Sequence, residues 1–218
     1  MSRRYELLVF DWDGTLMDSA PAIVASIQAS CADLGLPVPP PERAAHVIGL
    51  GLKDALSYAV PELPREDYGK LAERYRHHYL ARDPDIQLFP GVREMLVTLK
   101  QRGHRLAVAT GKSRAGLERV FLATEVKSLF DGSRCADETN PKPHPAMLQE
   151  LMQELQIDAD SALMIGDTSH DLQMAVNAGV ASLAVTYGAH PRDNLTALNP
   201  VACVDAPQEL AHWLQTHA

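Results

Sequence analysis

Cysteine is scarce: Cys31, Cys135 and Cys203 stand far apart, with no Cys-x-x-Cys pair. An odd, dispersed set of this kind speaks against a disulfide framework and for reduced thiols used as small buried hydrophobes, as in a cytoplasmic protein. Positive charge is also short, with 20 Lys and Arg against 28 Asp and Glu, a net charge of -8. That balance argues against a nucleic-acid or anionic-membrane surface, so an anionic substrate would depend on a few local cations or a metal. No stretch reaches the roughly 18 uninterrupted apolar residues of a membrane span. The Met-Ser-Arg-Arg start runs straight toward the first strand pattern without an apolar signal region. Internal repeats and low-complexity tracts are missing as well. What remains is ordinary globular material, 46% hydrophobic over 218 residues, enough for one large domain or a domain carrying an insertion.

The pattern is organised around the stretch Leu7 to Leu16. Tyr5 to Phe10, broken only by Glu6, has the length and composition of a buried parallel strand. From Asp18 to Asp85 the pattern is helical throughout. Ser19 is placed to cap a helix running from Pro21 to Leu34, which stops at Gly35. Pro37, Pro39, Pro40 and Pro41 then enforce an extended connection. Further helices are expected at Glu42–Val47, Lys53–Tyr58 and Arg65–Ala81. The last carries Tyr68, Leu71, Ala72, Tyr75 and Tyr79 on one face, read as a packing face rather than a ligand box.

After Phe89-Pro90-Gly91 the chain changes character. A helix (Val92–Arg102) leads into strands at Arg105–Thr110, Gly132–Ala136, Ala162–Ile165, Ser182–Thr186 and Val201–Val204, with helices between and after them. Strands alternating with helices mean a parallel sheet with right-handed crossovers. The expected fold is α/β: a doubly wound, Rossmann-like core at 1–17 and 88–218, with an inserted all-helical cap at 18–87. Hinges are expected near Met17–Ala20 and Pro84–Pro90.

Three strands end in polar residues: Asp11 and Asp13, Thr110, and Asp167 followed by Asp171. In a doubly wound sheet these ends share one rim, where ligands bind. Two carboxylates at such an edge are costly unless a cation, a proton or a substrate compensates them. Asp11, Asp13 and Asp167 are hard oxygen ligands suited to Mg²⁺, which shares its shell with phosphate oxygens. A carboxylate beside the metal can attack phosphorus, and a second can protonate the leaving oxygen and later deprotonate a water. The Thr110 hydroxyl, backbone N–H groups and Lys142, held between Pro141 and Pro143, can bind phosphoryl oxygens. Asp171 can complete or orient the metal shell and complements a helix dipole.

Taken together, Asp-Trp-Asp-Gly-Thr-Leu, Thr110-Gly111, Pro-Lys142-Pro and Gly-Asp-Thr-Ser-His-Asp resemble the four ordered motifs of the haloacid dehalogenase (HAD) superfamily, across essentially the whole chain. The helical insert after the first motif is similar to the small cap of its first subclass, and within it the chain looks most like phosphoglycolate phosphatases. The resemblance implies Asp11 as nucleophile and Asp13 as general acid/base, with Thr110, Gly111 and Lys142 binding phosphate. It implies metal held by Asp11, the Asp13 backbone carbonyl and Asp167, with Asp171 in support. The superfamily's dehalogenases lack the second aspartate, so Asp13 favours phosphoryl transfer. The expected substrate is a small phosphorylated metabolite, with no nucleic-acid or membrane partner and a monomer or homodimer. Alternatives are a phosphosugar mutase of the same fold and a non-enzymatic module phosphorylated on aspartate.

Other residues carry weaker signals. Lys53 or Arg43 can meet a second anionic group of the substrate, or be solvated cations beside a helix–helix turn at Gly49–Gly51. Lys112 and Ser113 can touch phosphate or begin a helix, with Ser113 as its N-cap. Gly111-Lys112-Ser113 mimics the end of a P-loop, but Leu106 stands where the upstream glycine belongs, which excludes ATP binding by that route. His170 is read as structural or solvated, and His77, His78 and His144 as surface residues. Tyr187 to His190 is read as a loop.

Overall fold

A computed structural model describes residues 4–218; Met1 to Arg3, where the expected core boundary begins, lie outside the described residues. Among the described residues six parallel strands form one sheet in the order β3-β2-β1-β4-β5-β6. They are β1 (Leu7–Phe10), β2 (Arg105–Thr110), β3 (Gly132–Cys135), β4 (Ala162–Gly166), β5 (Ala181–Val185) and β6 (Ala202–Val204). Every residue of β1 is fully buried, as a central strand covered on both faces requires. β1 pairs with β2 on one side (Phe10 opposite Val108) and with β4 on the other (Phe10 opposite Ile165). The chain therefore reverses its direction of travel across the sheet at β1, the switch point where doubly wound folds hold ligands.

The pleat sorts the core into two layers. Leu8, Phe10, Leu106, Val108, Leu163 and Ile165 face one cluster, while Leu7, Val9, Ala107, Ala109 and Met164 face the other. Helices α5 (Val92–Gln101), α6 (Arg114–Thr124) and α10 (Pro207–His217) contribute to the first cluster. Helices α7 (Ala146–Leu155) and α8 (Ser169–Ala178) cover the second. Trp12, wholly buried, leans its ring edge-on against Phe121 of α6 at a centroid distance of 5.3 Å.

Between β1 and α5 the described residues form helices only: α1 (Ala20–Asp33), α2 (Pro41–His46), α3 (Leu52–Ala59), α4 (Tyr68–Arg82) and short 3₁₀ turns. This helical segment leaves and rejoins the sheet through two connections that lie side by side. Asp18 N–H donates to the Gln87 carbonyl and Phe89 N–H to the Leu16 carbonyl, both at 3.0 Å.

The expected elements are present with ends moved by up to three residues, the largest shift being α4, where Arg65–Asp67 forms a 3₁₀ turn ahead of the helix. The five-residue helix α9 (Arg192–Thr196) has no counterpart in the expected pattern; it follows Pro191, which stands extended at its N-cap. Ser113 caps α6 as expected, accepting the Gly116 N–H. Ser19 does not cap α1, although it occupies the N-cap position. Its hydroxyl turns to the carboxylate of Asp13 instead, donating to Oδ1 at 2.6 Å.

Candidate active site

The carboxyl ends of β1 and β4 bring three aspartates into one buried volume. Asp11 continues the β1 ladder, its N–H donating to the Ile165 carbonyl at 2.9 Å. Asp167 follows β4 and is clamped from both sides: Thr15 Oγ1 donates to Oδ1 at 2.7 Å and Ala189 N–H to Oδ2 at 2.8 Å. Asp171 lies in the first turn of α8 and forms a capping box with Thr168, accepting that residue's N–H and hydroxyl on Oδ2. Asp11, Asp167 and Asp171 each offer an oxygen within 4.8 Å of the others, and all three side chains are buried. Gly14 makes this convergence possible. It sits at φ 82°, and a Cβ there would come within 2.2 Å of Asp167 Oδ2.

Lys142 answers part of that charge. Its buried ammonium lies 2.6 Å from Asp11 Oδ1 and 2.6 Å from Asp171 Oδ1. One ammonium among three carboxylates leaves a net negative site. Burial accordingly pushes the Asp11 carboxyl well above the usual range; Lys142 opposes this and the two neighbouring aspartates add to it. Asp167 is pushed up to about 7, by burial first and then by Asp171. Burial works against the charge on Lys142, but Asp11 and Asp171 outweigh it and raise its pKa above the normal value.

Asp11 Oδ2 is buried without a hydrogen-bond partner among the described residues. An orphaned carboxylate oxygen beside two further carboxylates is costly by itself and fits a hard divalent cation such as Mg²⁺.

Asp13 lives in a different environment two residues away. Its Oδ1 receives the Ser19 hydroxyl at 2.6 Å and the Lys112 ammonium at 2.9 Å. Lys112 Nζ also donates to the Tyr79 hydroxyl at 3.0 Å. Burial disfavours the Lys112 charge, but Asp13 and Tyr79 overcome this and raise its pKa. Thr110, buried at the end of β2, accepts the Lys112 N–H on Oγ1 at 3.2 Å. Gly111 is pressed by the helical segment, since a Cβ there would meet the Gly49 and Leu50 carbonyl oxygens at 2.5 Å.

A cavity of about 620 Å³ opens between this rim and the helical segment. Asp13, Gly111 and Lys112 border it from the sheet; Ile48, Lys53 and Arg76 are among the residues that border it from the helices. Lys53 therefore reaches the cavity, whereas Arg43 is not on its wall.

Several residues were missed or undervalued by sequence reasoning. For Lys112 the sequence alone allows either a phosphate contact or a helix start. Tyr79, read only as packing, reaches Lys112, because a tyrosine face that packs still ends in a hydroxyl needing a partner. Arg76 and the Ala189 N–H carried no motif. His190 and His170 both place Nε2 on the His46 carbonyl, at 3.0 and 2.8 Å, joining rim to helical segment. That contact supports the structural reading of His170. His144 and His77 are exposed, and His78 pairs with Asp33 away from the site.

Known proteins resemble the chain over most of its length. The model of the haloacid dehalogenase-like hydrolases matches residues 8–185. "Probable phosphatase IndB" of Dickeya dadantii is 38% identical, covering 94% of this chain and 91% of the relative. A phosphoglycolate phosphatase of Rhodospirillum rubrum is 34% identical, covering 95% of this chain and 90% of the relative. The crystal structure of a "predicted phosphoglycolate phosphatase" from Haemophilus somnus superimposes with a TM-score of 0.84 at 26% identity, over 97% of this chain and 99% of that one. With a matching sheet, an aspartate pair at the switch point and a family model spanning most of its length, the chain belongs to the haloacid dehalogenase-like hydrolase family.

Proposed function

We propose that this protein is a Mg²⁺-dependent phosphomonoester hydrolase working through an aspartyl phosphate on Asp11. The observation that carries the reading is the contrast between two aspartates two residues apart. Asp11 is sunk among Lys142, Asp167 and Asp171, while Asp13 borders the cavity with one oxygen held by Ser19 and Lys112. Paired carboxylates in unlike surroundings can divide nucleophile and acid/base duties between them.

In the proposed cycle an Asp11 oxygen attacks phosphorus while Asp13 passes a proton to the departing alcohol oxygen. Asp13 then takes a proton from the water that cleaves the acyl phosphate. Thr110, the Gly111 N–H and Lys142 hold phosphoryl oxygens and neutralise their charge. Mg²⁺, held by Asp11, the Asp13 backbone carbonyl and Asp167 with Asp171 in support, would neutralise the carboxylates and the phosphoryl group together. Residues 18–87 act as a cap hinged on the paired connections near Met17 and Leu88, closing over substrate to exclude water. Residues 4–17 and 88–218 form the catalytic core.

The substrate is a small phosphorylated metabolite. Phosphoglycolate is the first candidate, because several relatives are named for it. Lys53 and Arg76, which have no ion-pair partner among the described residues, stand where a second anionic group would enter.

Phosphate release from a panel of phosphomonoesters, with Mg²⁺ and with EDTA, tests the reading beside an Asp11→Asn control. Metal-dependent turnover that disappears in the control supports it. Interconversion of phosphosugars without net phosphate release would replace it with a mutase.

A further inference from the structure

Tyr79 belongs to α4 of the helical segment, yet its hydroxyl ends on a lysine of the sheet rim. Lys112 Nζ lies 3.0 Å from that hydroxyl, 4.9 Å from the ring centroid and 2.9 Å from Asp13 Oδ1. Among the described residues, no other side chain pairs with this ammonium. The side chain of Lys112 is only 9% exposed, and Tyr79 is itself buried. Neither group has an alternative partner in solvent while the segment is seated.

We propose that Tyr79 is a positioning residue that sets the acid/base group Asp13 through Lys112, so that seating the helical segment assembles the proton-transfer site. The inference rests on the phosphomonoesterase reading above. A lysine stem is flexible and loses rotamer freedom when pinned. With Tyr79 in place the ammonium is confined to one spot, against Asp13 Oδ1. Ser19 donates to the same oxygen at 2.6 Å. Both donors occupy Oδ1, so Oδ2 is the oxygen left to exchange a proton at the cavity.

When the phosphorus–oxygen bond to the leaving alcohol breaks, the proton on Oδ2 moves to that alcohol oxygen. Asp13 is left as a carboxylate, and the adjacent ammonium stabilises it. With the segment lifted, Tyr79 leaves with it and Lys112 is free to turn to water. The rim then holds an aspartate but not an oriented acid.

Leaving-group chemistry tests this. p-Nitrophenolate departs without needing a proton, whereas an alkoxide does not. kcat/KM is measured with Mg²⁺ for the full-length protein and its Tyr79→Phe variant, on p-nitrophenyl phosphate and on the alkyl phosphomonoester turned over fastest. Losing one hydrogen bond is expected to lower the alkyl-ester value about fivefold. The aryl-ester value is expected to change by less than about twofold, with the unfolding midpoint little moved. Lys112→Met should show the same selectivity, and more strongly. Equal loss on both esters, or no loss on the alkyl ester, overturns the role of Tyr79 while leaving the phosphatase reading intact. If the unaltered protein hydrolyses neither ester, that reading falls and the inference with it.

Discussion

The ammonium of Lys142 stands 2.6 Å from Asp11 Oδ1 with both side chains out of solvent. A buried ion pair contributes little net stability when intact, but removing one partner strands the other. Lys142→Met would leave Asp11, Asp167 and Asp171 together without the ammonium that pairs with Asp11 and Asp171. The variant is expected to lose about 3–5 kcal/mol of stability without metal. Millimolar Mg²⁺ should restore part of it, and phosphate release should fall at least about a hundredfold. Thermal unfolding with and without Mg²⁺, beside a turnover assay, measures all three effects.

Asp11→Asn should separate stability from activity. Burial makes the ionised Asp11 carboxyl costly, which is why its pKa is raised. An amide of the same shape removes that cost, and Lys142 is not stranded because Asp171 Oδ1 stays 2.6 Å from its ammonium. In EDTA the variant is expected to melt about 2–4 °C higher, corresponding to about 1 kcal/mol for a chain of this size. It should release no phosphate, and the increase in melting temperature produced by Mg²⁺ should shrink. A lower melting temperature in EDTA would mean that Asp11 stabilises the fold rather than straining it.

The strand ends that build this site were legible because each constraint is local. A buried parallel strand must end, and the polar residues just beyond it must share the rim. Asp11, Asp13, Thr110 and Asp167 follow from that rule alone. Lys142 was legible from its flanking prolines. The role of Lys112 was not, since its partners Asp13 and Tyr79 lie about a hundred and about thirty residues away and meet it only through packing. Ser19 misled for a related reason. The N-cap preference is a weak local force of about 1 kcal/mol, and a buried carboxylate is a stronger claimant for a hydroxyl.

Gly111→Ala tests whether the helical segment must seat tightly. A methyl group there would lie 2.5 Å from two carbonyl oxygens of the Gly49–Leu50 turn, and backbone cannot yield as a flexible side chain can. The segment must shift outward. The expected result is a fall in kcat/KM of about tenfold or more, with stability lowered by about 1–3 kcal/mol, as for an overpacked contact. Urea unfolding and steady-state kinetics of the variant check both. Unchanged kinetics would show that the close approach is dispensable for turnover.

Away from the site, Asp131 gives a pH dependence with a definite sign. Burial opposes its charge, but the ammonium of Lys100, the Leu106 N–H at 2.9 Å and the Arg105 guanidinium at 3.0 Å outweigh this and hold its carboxyl below the usual range. A carboxyl whose folded pKa is depressed stabilises fully above its unfolded pKa of about 4, and that contribution disappears as pH falls through the folded value. Asp131→Asn is therefore expected to cost about 1–2 kcal/mol at neutral pH, the worth of a charge-assisted hydrogen bond on a mostly buried carboxylate. The gap between the two proteins in urea unfolding should be the same at about pH 7 and about pH 5 and should narrow only below about pH 4. A gap that already closes between pH 7 and 5 would point instead to a titrating group near neutrality, and would remove Asp131 as the source of the stabilisation.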